Sequence, residues 1–458
     1  MLRQFLPALL FSFLILTSCN SSDKKEKVVE ETTQAASHPS WIMQGNIYEV
    51  NIRQYSPEGT FKAFEKHLDR LKNMGVQTLW FMPINPIGVV DRKGMMGSYY
   101  AVTDFKAVNP EFGTMDDWKA LVKKAHEMGF KVIIDWVPNH TAPDHVWMKT
   151  HPDFYVKDST DKAAIPFNWD DTRQLDYKNN AMRDSMIAAM KFWLNETNID
   201  GFRCDVAWNV PGDFWKTCIA KLEKIKPGIF MLAEADKPYI PVSGFDAIYP
   251  WEMFHMMVKI AKGQRPAFAL DSIKASYDTL YPADVIEMYF TSNHDENSWN
   301  KADYGTMPGV IHAPFAVFTQ TMDNSVPLVY SGQEEPVLDS IRFFYKDPIT
   351  FKKFGREKFY KTLLELRKNN EALAADALFK KVVVGDEKAL YAYTREKNGK
   401  KVFVILNLSA KEQTIKVTDP SLHGKPYNVF MYTNEPLTDA EWKIEPWGYV
   451  VYVYPQTP

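Results

Sequence analysis

Four apolar runs in this chain end abruptly in polar, ionisable residues. Ile133-Ile134 runs into Asp135-Trp136-Val137-Pro138-Asn139-His140, and Gly201-Phe202 into Arg203-Cys204-Asp205. Ile229-Phe230-Met231-Leu232-Ala233 stops at Glu234, and Met288-Tyr289-Phe290 at Thr291-Ser292-Asn293-His294-Asp295. A strand buried on both faces reads as a near-continuous hydrophobic stretch. In a closed parallel barrel the residues at the C-terminal strand ends gather at one mouth. The pattern therefore predicts buried strands that deliver acids from separate places in the chain to one site of acid-base chemistry.

The remaining periodicity extends that reading. Strands are predicted at 46–52, 78–82, 131–137, 201–205, 229–233, 245–249, 285–291 and 327–331, with helical patterns between most of them. In 115–128 the apolar positions Trp118, Leu121, Val122 and Ala125 share one helix face; in 181–194 Met182, Met186, Ile187, Met190 and Trp193 do so. Alternating strand and helix argues for a parallel α/β fold, and a count of eight favours a closed barrel. The connection after the third strand is too long for an ordinary loop of a few residues, so 138–180 is predicted as a short inserted subdomain overhanging the strand ends. After a last helix at 356–367 the pattern changes to short alternating strands at 389–394, 402–406, 414–417, 429–432 and 449–454, with a hairpin turn at Lys397-Asn398-Gly399-Lys400. The predicted fold class is α/β: a (β/α)8 TIM barrel over 41–370, followed by a C-terminal antiparallel β-sandwich domain over 371–458.

Composition bounds the partners. With 458 residues, 45% of them hydrophobic, the chain can bury one large core and a smaller one. A net charge of -3 and the lack of a clustered Lys/Arg stripe argue against a nucleic-acid partner. The 13 Trp, 22 Tyr and 29 Phe exceed what a core needs, and a minority at a rim would suit stacking on sugar rings. Besides Cys19 there are only Cys204 and Cys218, so no disulfide framework is expected, and no Cys/His spacing points to zinc. Strand alternation turns Cys204 away from its charged neighbours, toward the outer helices.

At the N-terminus Arg3, the apolar stretch 5–16 and Leu16-Thr17-Ser18-Cys19 resemble a bacterial lipoprotein signal. The resemblance implies a signal peptide over 1–18, a lipid on the Cys19 thiol and a mature protein anchored outside the cytoplasmic membrane. The periplasmic face and the cell surface both fit, with the outer membrane the expected location. An ordinary secretory peptide with a chance Cys is the alternative. Residues 19–40 are polar, with little to bury, and read as a disordered tether.

Arg203 and Asp205 are two apart on one strand and share its inward face. A guanidinium there is expected to keep the carboxylate ionised, as a nucleophile requires. Glu234, at the end of an apolar run, is placed where desolvation would favour its protonated form, as a general acid requires. Taken singly, each could be a structural ion pair. Four such strand ends on one chain weigh against that.

These segments, in order and spacing, resemble the four signature regions of the alpha-amylase family of glycoside hydrolases. Supporting segments are 75–83, Gln174-Leu175-Asp176 and Val326-Pro327-Leu328-Val329-Tyr330-Ser331-Gly332-Gln333-Glu334. The resemblance implies a retaining mechanism in which Asp205 forms a covalent glycosyl intermediate, Glu234 serves as acid and then base, and Asp295 stabilises the distorted sugar. Such a pair of carboxyl groups stands about 5–5.5 Å apart. It further implies that Arg203 orients Asp205, that Asp135 supports the arginine, that His140 and His294 donate to sugar hydroxyls, and that Tyr100 stacks under the same sugar. The implied substrate is an α-1,4-glucan such as a starch-derived maltooligosaccharide, with no cofactor required. Asn139 matches a position that binds calcium in many members, which makes a structural calcium an expectation.

The departures concern specificity. Family enzymes on long starch chains commonly follow the nucleophile with Lys-His, whereas Asp205 is followed by Val206-Ala207-Trp208-Asn209-Val210-Pro211. That is closer to members acting on maltooligosaccharides and cyclodextrins, and makes Trp208 a candidate substrate contact. Ala101 stands where many members have Asp, and Tyr55-Ser56-Pro57-Glu58-Gly59 lacks an Asp-rich calcium pattern. The alternatives on the same machinery are a transglycosylase or isomerase and an α-glucosidase- or cyclodextrinase-type enzyme; a non-catalytic sugar-binding protein is a further one.

Overall fold

Eight parallel strands close into a ring in chain order: β1 (Ile47–Val50), β2 (Thr78–Phe81), β3 (Lys131–Trp136), β4 (Gly201–Cys204), β5 (Phe230–Ala233), β6 (Ala247–Ile248), β7 (Ile286–Tyr289) and β8 (Ser325–Tyr330), with β8 pairing back to β1. The computed structural model describes residues 38–301, 307–335 and 340–454. The segment expected to be a signal peptide, Cys19 and most of the expected tether lie outside the described residues.

The helices form where the apolar period predicted them. The helix Met115–Glu127 starts at Thr114, whose side chain accepts from the Asp117 amide while the Asp117 carboxylate accepts from the Thr114 amide. That reciprocal cap contributes about 1 kcal/mol. The helix buries Trp118 against Phe81 of β2, with ring centroids 5.0 Å apart. The helix Asn180–Thr197 ends at Asn198 in the left-handed region, φ 56°.

This turn leads to Asp200, at the N-terminal face of the barrel just ahead of β4. One buried carboxylate there takes Lys131 at 3.1 Å, Lys226 at 3.1 Å, His126 at 2.7 Å and the Val132 amide at 2.9 Å. Burial alone would raise the Asp200 carboxyl, but His126, the Val132 amide and Lys226 outweigh it and hold it well below the usual carboxylate range.

Residues 138–180 carry a two-stranded antiparallel ribbon, His140–Thr141 with Arg173–Gln174, above the end of β3. The C-terminal region forms a six-stranded antiparallel sheet from β9 (Leu378–Val382), β10 (Leu390–Lys397), β11 (Lys400–Asn407), β13 (Tyr427–Asn428), β14 (Thr433–Asn434) and β16 (Tyr449–Val453), and a two-stranded sheet from β12 (Gln413–Ile415) and β15 (Trp442–Ile444). Strand alternation divides its residues between two cores. Val402, Val404 and Leu406 pack with the barrel core, while Phe403 and Ile405 join Ile415 and Ile444 in a second one. Buried Arg395 joins the two regions, donating to the carbonyls of Thr321 at 2.7 Å and Ala374 at 2.7 Å.

The predicted strand at 429–432 is instead a turn. The Asn428 side-chain oxygen accepts from the amides of Phe430 and Met431, and Tyr432 sits at φ 56°, so the chain reverses between β13 and β14. Asx turns of this kind compete with strand pairing regardless of apolar neighbours.

Candidate active site

The mouth is built from the ends of β1, β3, β4, β5 and β7. Asp135 on β3 and Arg203 on β4 are register partners, so their side chains meet across the strand pair. Arg203 Nη1 donates to Asp135 Oδ1 at 3.0 Å and to Asp205 Oδ1 at 3.2 Å, and Nη2 lies 3.2 Å from Glu234 Oε2. One fully buried guanidinium thus serves three carboxylates. Its Nε donates to Tyr249 Oη at 3.1 Å, just past β6.

Asp205 is aimed by the residue that follows it. Val206 has φ 45°, a left-handed conformation that a β-branched residue rarely adopts. The turn directs the Val206 amide onto Glu234 Oε2 at 2.8 Å. Strain at such a position persists only where the surroundings enforce it, and it clusters at functional sites.

The electrostatics depart from expectation at Asp205. Burial, with the Glu234 charge added, pushes its carboxyl well above the usual range although Arg203 opposes the shift. Arg203 does not hold Asp205 low because it is divided among three acids. Asp135 is likewise pushed up by burial, to about 6, against the pull of Arg203.

A second set hangs from β1 and β7. His294 Nδ1 lies 2.5 Å from Glu49 Oε1, and its Nε2 lies 2.7 Å from Tyr100 Oη and 3.4 Å from Asp295 Oδ2. Burial would lower the imidazole, but Asp295 and Glu49 outweigh it and hold it up at about 9. Tyr100 Oη donates to Asp135 Oδ2 at 3.1 Å and its ring stacks on His294, linking the two sets. His140 is pushed down to about 4 by burial, and its Nδ1 accepts from the Asn139 side chain at 3.1 Å.

These groups open onto a cavity of about 450 Å³, lined among others by Tyr100, His140, Asp205, Glu234 and Asp295. Asp135, Arg203 and His294 are buried behind that surface. Trp208 does not line the cavity; it is 41% exposed at the rim, 5.5 Å from Phe167. Three contributors were not singled out from the sequence: Glu49, Tyr249 and the strained Val206. Glu49 had a signal, a lone acid within Ile47-Tyr48-Glu49-Val50. The turn at Val206 had none.

The expected calcium at Asn139 meets a donor set that does not suit it. Asn139 Oδ1 already accepts from Gln174 at 2.9 Å and Asn209 at 2.8 Å, and its carbonyl accepts from Gln174 and Leu175. Calcium takes six to eight oxygens, usually including carboxylates. Among the described residues no group of three or more His, Cys, Asp or Glu side chains could hold a metal ion. Cys204 and Cys218 are both buried thiols without a disulfide.

Residues 18–174 and 168–358 match the family model described as "Alpha amylase, catalytic domain", and 390–450 match "Alpha-amylase SusG C-terminal domain". The chain is 26% identical over 398 residues to alpha-amylase MalA of Haloarcula japonica, a match covering 82% of this chain and 57% of that protein. It is 32% identical over 215 residues to a trehalose synthase of Pimelobacter, covering 39% of this chain and 36% of that one. The crystal structure of a noncanonic maltogenic alpha-amylase, AmyB from Thermotoga neapolitana, superposes with a TM-score of 0.82 at 27% identity, covering 90% of this chain and 99% of that one.

Proposed function

Because the chain belongs to the alpha-amylase family, we propose that its barrel mouth is the active site of a retaining glycoside hydrolase that cleaves α-1,4 bonds of maltooligosaccharides and related α-glucans. The observation that carries this reading is that Asp205 and Glu234, at the ends of adjacent strands, share one buried guanidinium and open onto the same cavity as Asp295. The Asp205 carboxylate attacks the anomeric carbon while Glu234 gives its proton to the departing glycosidic oxygen. The bond to the leaving sugar breaks as the glycosyl ester forms. Water then enters, Glu234 takes its proton, and the second displacement restores the starting anomeric configuration. Arg203 stays paired throughout, taking up charge that moves among its three acids. Tyr100, backed by the stacked ring of His294, presents a flat surface beneath the reacting sugar, with Asp295 beside it.

Replacing the acid tests the reading. Glu234→Gln is expected to lower kcat on maltoheptaose by about 10²- to 10⁴-fold, and the first product detected by NMR from the wild-type protein should be the α-anomer. Near-wild-type cleavage by the variant would sink the assignment.

One observation favours transfer to a sugar as a second reading. Trp208 and Phe167 form an exposed aromatic pair at the rim, suited to holding an acceptor sugar where water would otherwise enter. A trehalose synthase is among the relatives. Products longer than the substrate at high maltooligosaccharide concentration would mark transfer. We further propose, on the sequence around Cys19, that the enzyme works from a lipid anchor outside the cytoplasmic membrane; radiolabelled palmitate should label the protein and fail to label Cys19→Ala.

A further inference from the structure

The segment between β2 and the helix Met115–Glu127 arches over one end of the cavity and is fastened on both sides. Toward the inserted residues, Lys93 Nζ pairs with Asp170 at 2.9 Å and Asp171 at 3.1 Å, Asp91 pairs with Arg173 at 2.8 Å, and the Val89 amide donates to Asp144 at 2.9 Å. Toward the segment after β8, the Met96 amide donates to the Phe344 carbonyl at 2.9 Å. Arg53 donates to the carbonyls of both Gly97 and Phe343, at 3.0 and 3.2 Å. Gly94, at φ 61°, packs so closely that a Cβ there would come within 2.5 Å of Phe344 Cβ. The arch is therefore a fixed wall, and two of its linked residues, Lys93 and Asp171, face the same cavity as Asp205 and Glu234.

Its place in the ring says which end it closes. The leaving group departs on the side of the acid, Glu234, at the end of β5. The wall rises from β2 and is fastened to the segments after β3 and after β8, so it spans the arc of the ring on either side of β1, the strand opposite β5, away from the leaving group. That side holds the sugar being transferred to Asp205 and whatever precedes it toward the non-reducing end. Within the same inserted segment, Phe167 turns toward Trp208 beside β4, where the nucleophile strand ends.

Resting on the hydrolase reading above, we propose that the Lys93 bridge to Asp170 and Asp171 closes the glycone end of the cleft, so that the protein takes α-glucans by their non-reducing ends and releases short units. A chain cannot thread past the bridge. Surface ion pairs add little stability, so the bridge acts by occupying the path and by presenting an ammonium and a carboxylate to the terminal hydroxyls.

The test compares maltoheptaose with the same oligosaccharide blocked at O4 and O6 of its non-reducing-end glucose, products being resolved by chromatography. The wild-type protein should release mono- or disaccharide from the free substrate and cleave the blocked one at least about tenfold more slowly. Lys93→Ala, and Lys93→Ala combined with Asp91→Ala, should bring the two rates together and yield internal cuts, while Lys93→Arg should keep the wild-type ratio. Similar wild-type rates on both substrates would overturn the wall while leaving the hydrolase reading intact. An unchanged ratio in the double variant would overturn the role of the ion pairs. Failure to cleave the free substrate would remove the hydrolase reading and this inference together.

Discussion

The two faces of this barrel carry inverted charge clusters. At the C-terminal mouth one cation, Arg203, is shared by three carboxylates, Asp135, Asp205 and Glu234. At the N-terminal floor one carboxylate, Asp200, is shared by three basic side chains, Lys131, Lys226 and His126. Asp205 and Asp200 are both buried, yet Asp205 is pushed well above the usual range and Asp200 held well below it. Burial is common to both, so the ratio of acids to bases decides the sign. A floor with surplus cations stabilises the fold. A mouth with surplus acids makes Asp205 and Asp135 costly to ionise and so draws on the stability of the fold.

The largest expected effect breaks the mouth. Asp205→Asn should lower kcat on maltoheptaose by roughly 10⁴-fold or more, as loss of a covalent nucleophile does, and it should raise the thermal midpoint at pH 7. The second half follows from linkage. A carboxyl whose folded pKa exceeds its unfolded value of about 3.9 is costly to keep ionised above its folded pKa, and that cost fades as pH falls toward the unfolded value. The folded value of Asp205 lies well above the unfolded one, so the cost is present at neutrality and fades as pH falls toward about 4. The gain in the Asp205→Asn midpoint should shrink on acidification; a lower midpoint at pH 7 would refute the account of a strained mouth.

The floor predicts the opposite sign and a smaller effect. Asp200→Asn leaves Lys131, Lys226 and His126 without their shared anion while the Val132 amide keeps an acceptor, costing roughly 2 kcal/mol or more by chemical denaturation at pH 7. Because the folded pKa of Asp200 is depressed, its contribution is complete above about pH 4, the unfolded value, and is lost as pH falls through the folded one. The gap between wild type and variant should therefore be flat from neutrality to about pH 4 and close below it. Turnover at pH 7 should be retained, since Asp200 lies at the opposite face from the cavity.

What the sequence disclosed follows the same division. The strand ends were legible because a strand buried on both faces has no polar position until it reaches the mouth, and the helix at Trp118 because its apolar period is set by one packed face. The expectation for Asp205 failed because Arg203, two residues away, is visible along the chain, whereas Glu234 and the burial around it come from the neighbouring strand. Val206 escaped notice because nothing in a Val residue announces a left-handed turn, and the partner of its amide, Glu234, comes from the neighbouring strand. Glu49 was legible and passed over, one acid in an apolar strand whose His294 partner lies 245 residues away. The turn at 429–432 was hidden under an apolar stretch, Val429-Phe430-Met431-Tyr432, and only Asn428 hinted at it.

The smallest expected effect concerns Asn139, between the mouth and the inserted residues. Its side-chain oxygen receives two amide N–H groups, from Gln174 of the insertion and Asn209 of the turn after Asp205, and its amide donates to His140. Three side-chain amides thus bind the insertion to the nucleophile turn, a job a cation would do by drawing in oxygens. In this arrangement the Gln174 and Asn209 amides turn their N–H groups toward that oxygen, so a cation there would require both amides to rotate. A site filled at a hundred times its Kd would add about 2.7 kcal/mol to the stability, so chelation would lower the thermal midpoint by several degrees if calcium sat here. We expect the midpoint to be the same in excess EDTA and in excess calcium. Asn139→Ala, by contrast, should lower it in both, because the amides of Gln174 and Asn209 lose their shared acceptor. A midpoint that rose with calcium in the wild type and not in Asn139→Ala would show that an ion displaces the amides and that the latch is a vacant metal site.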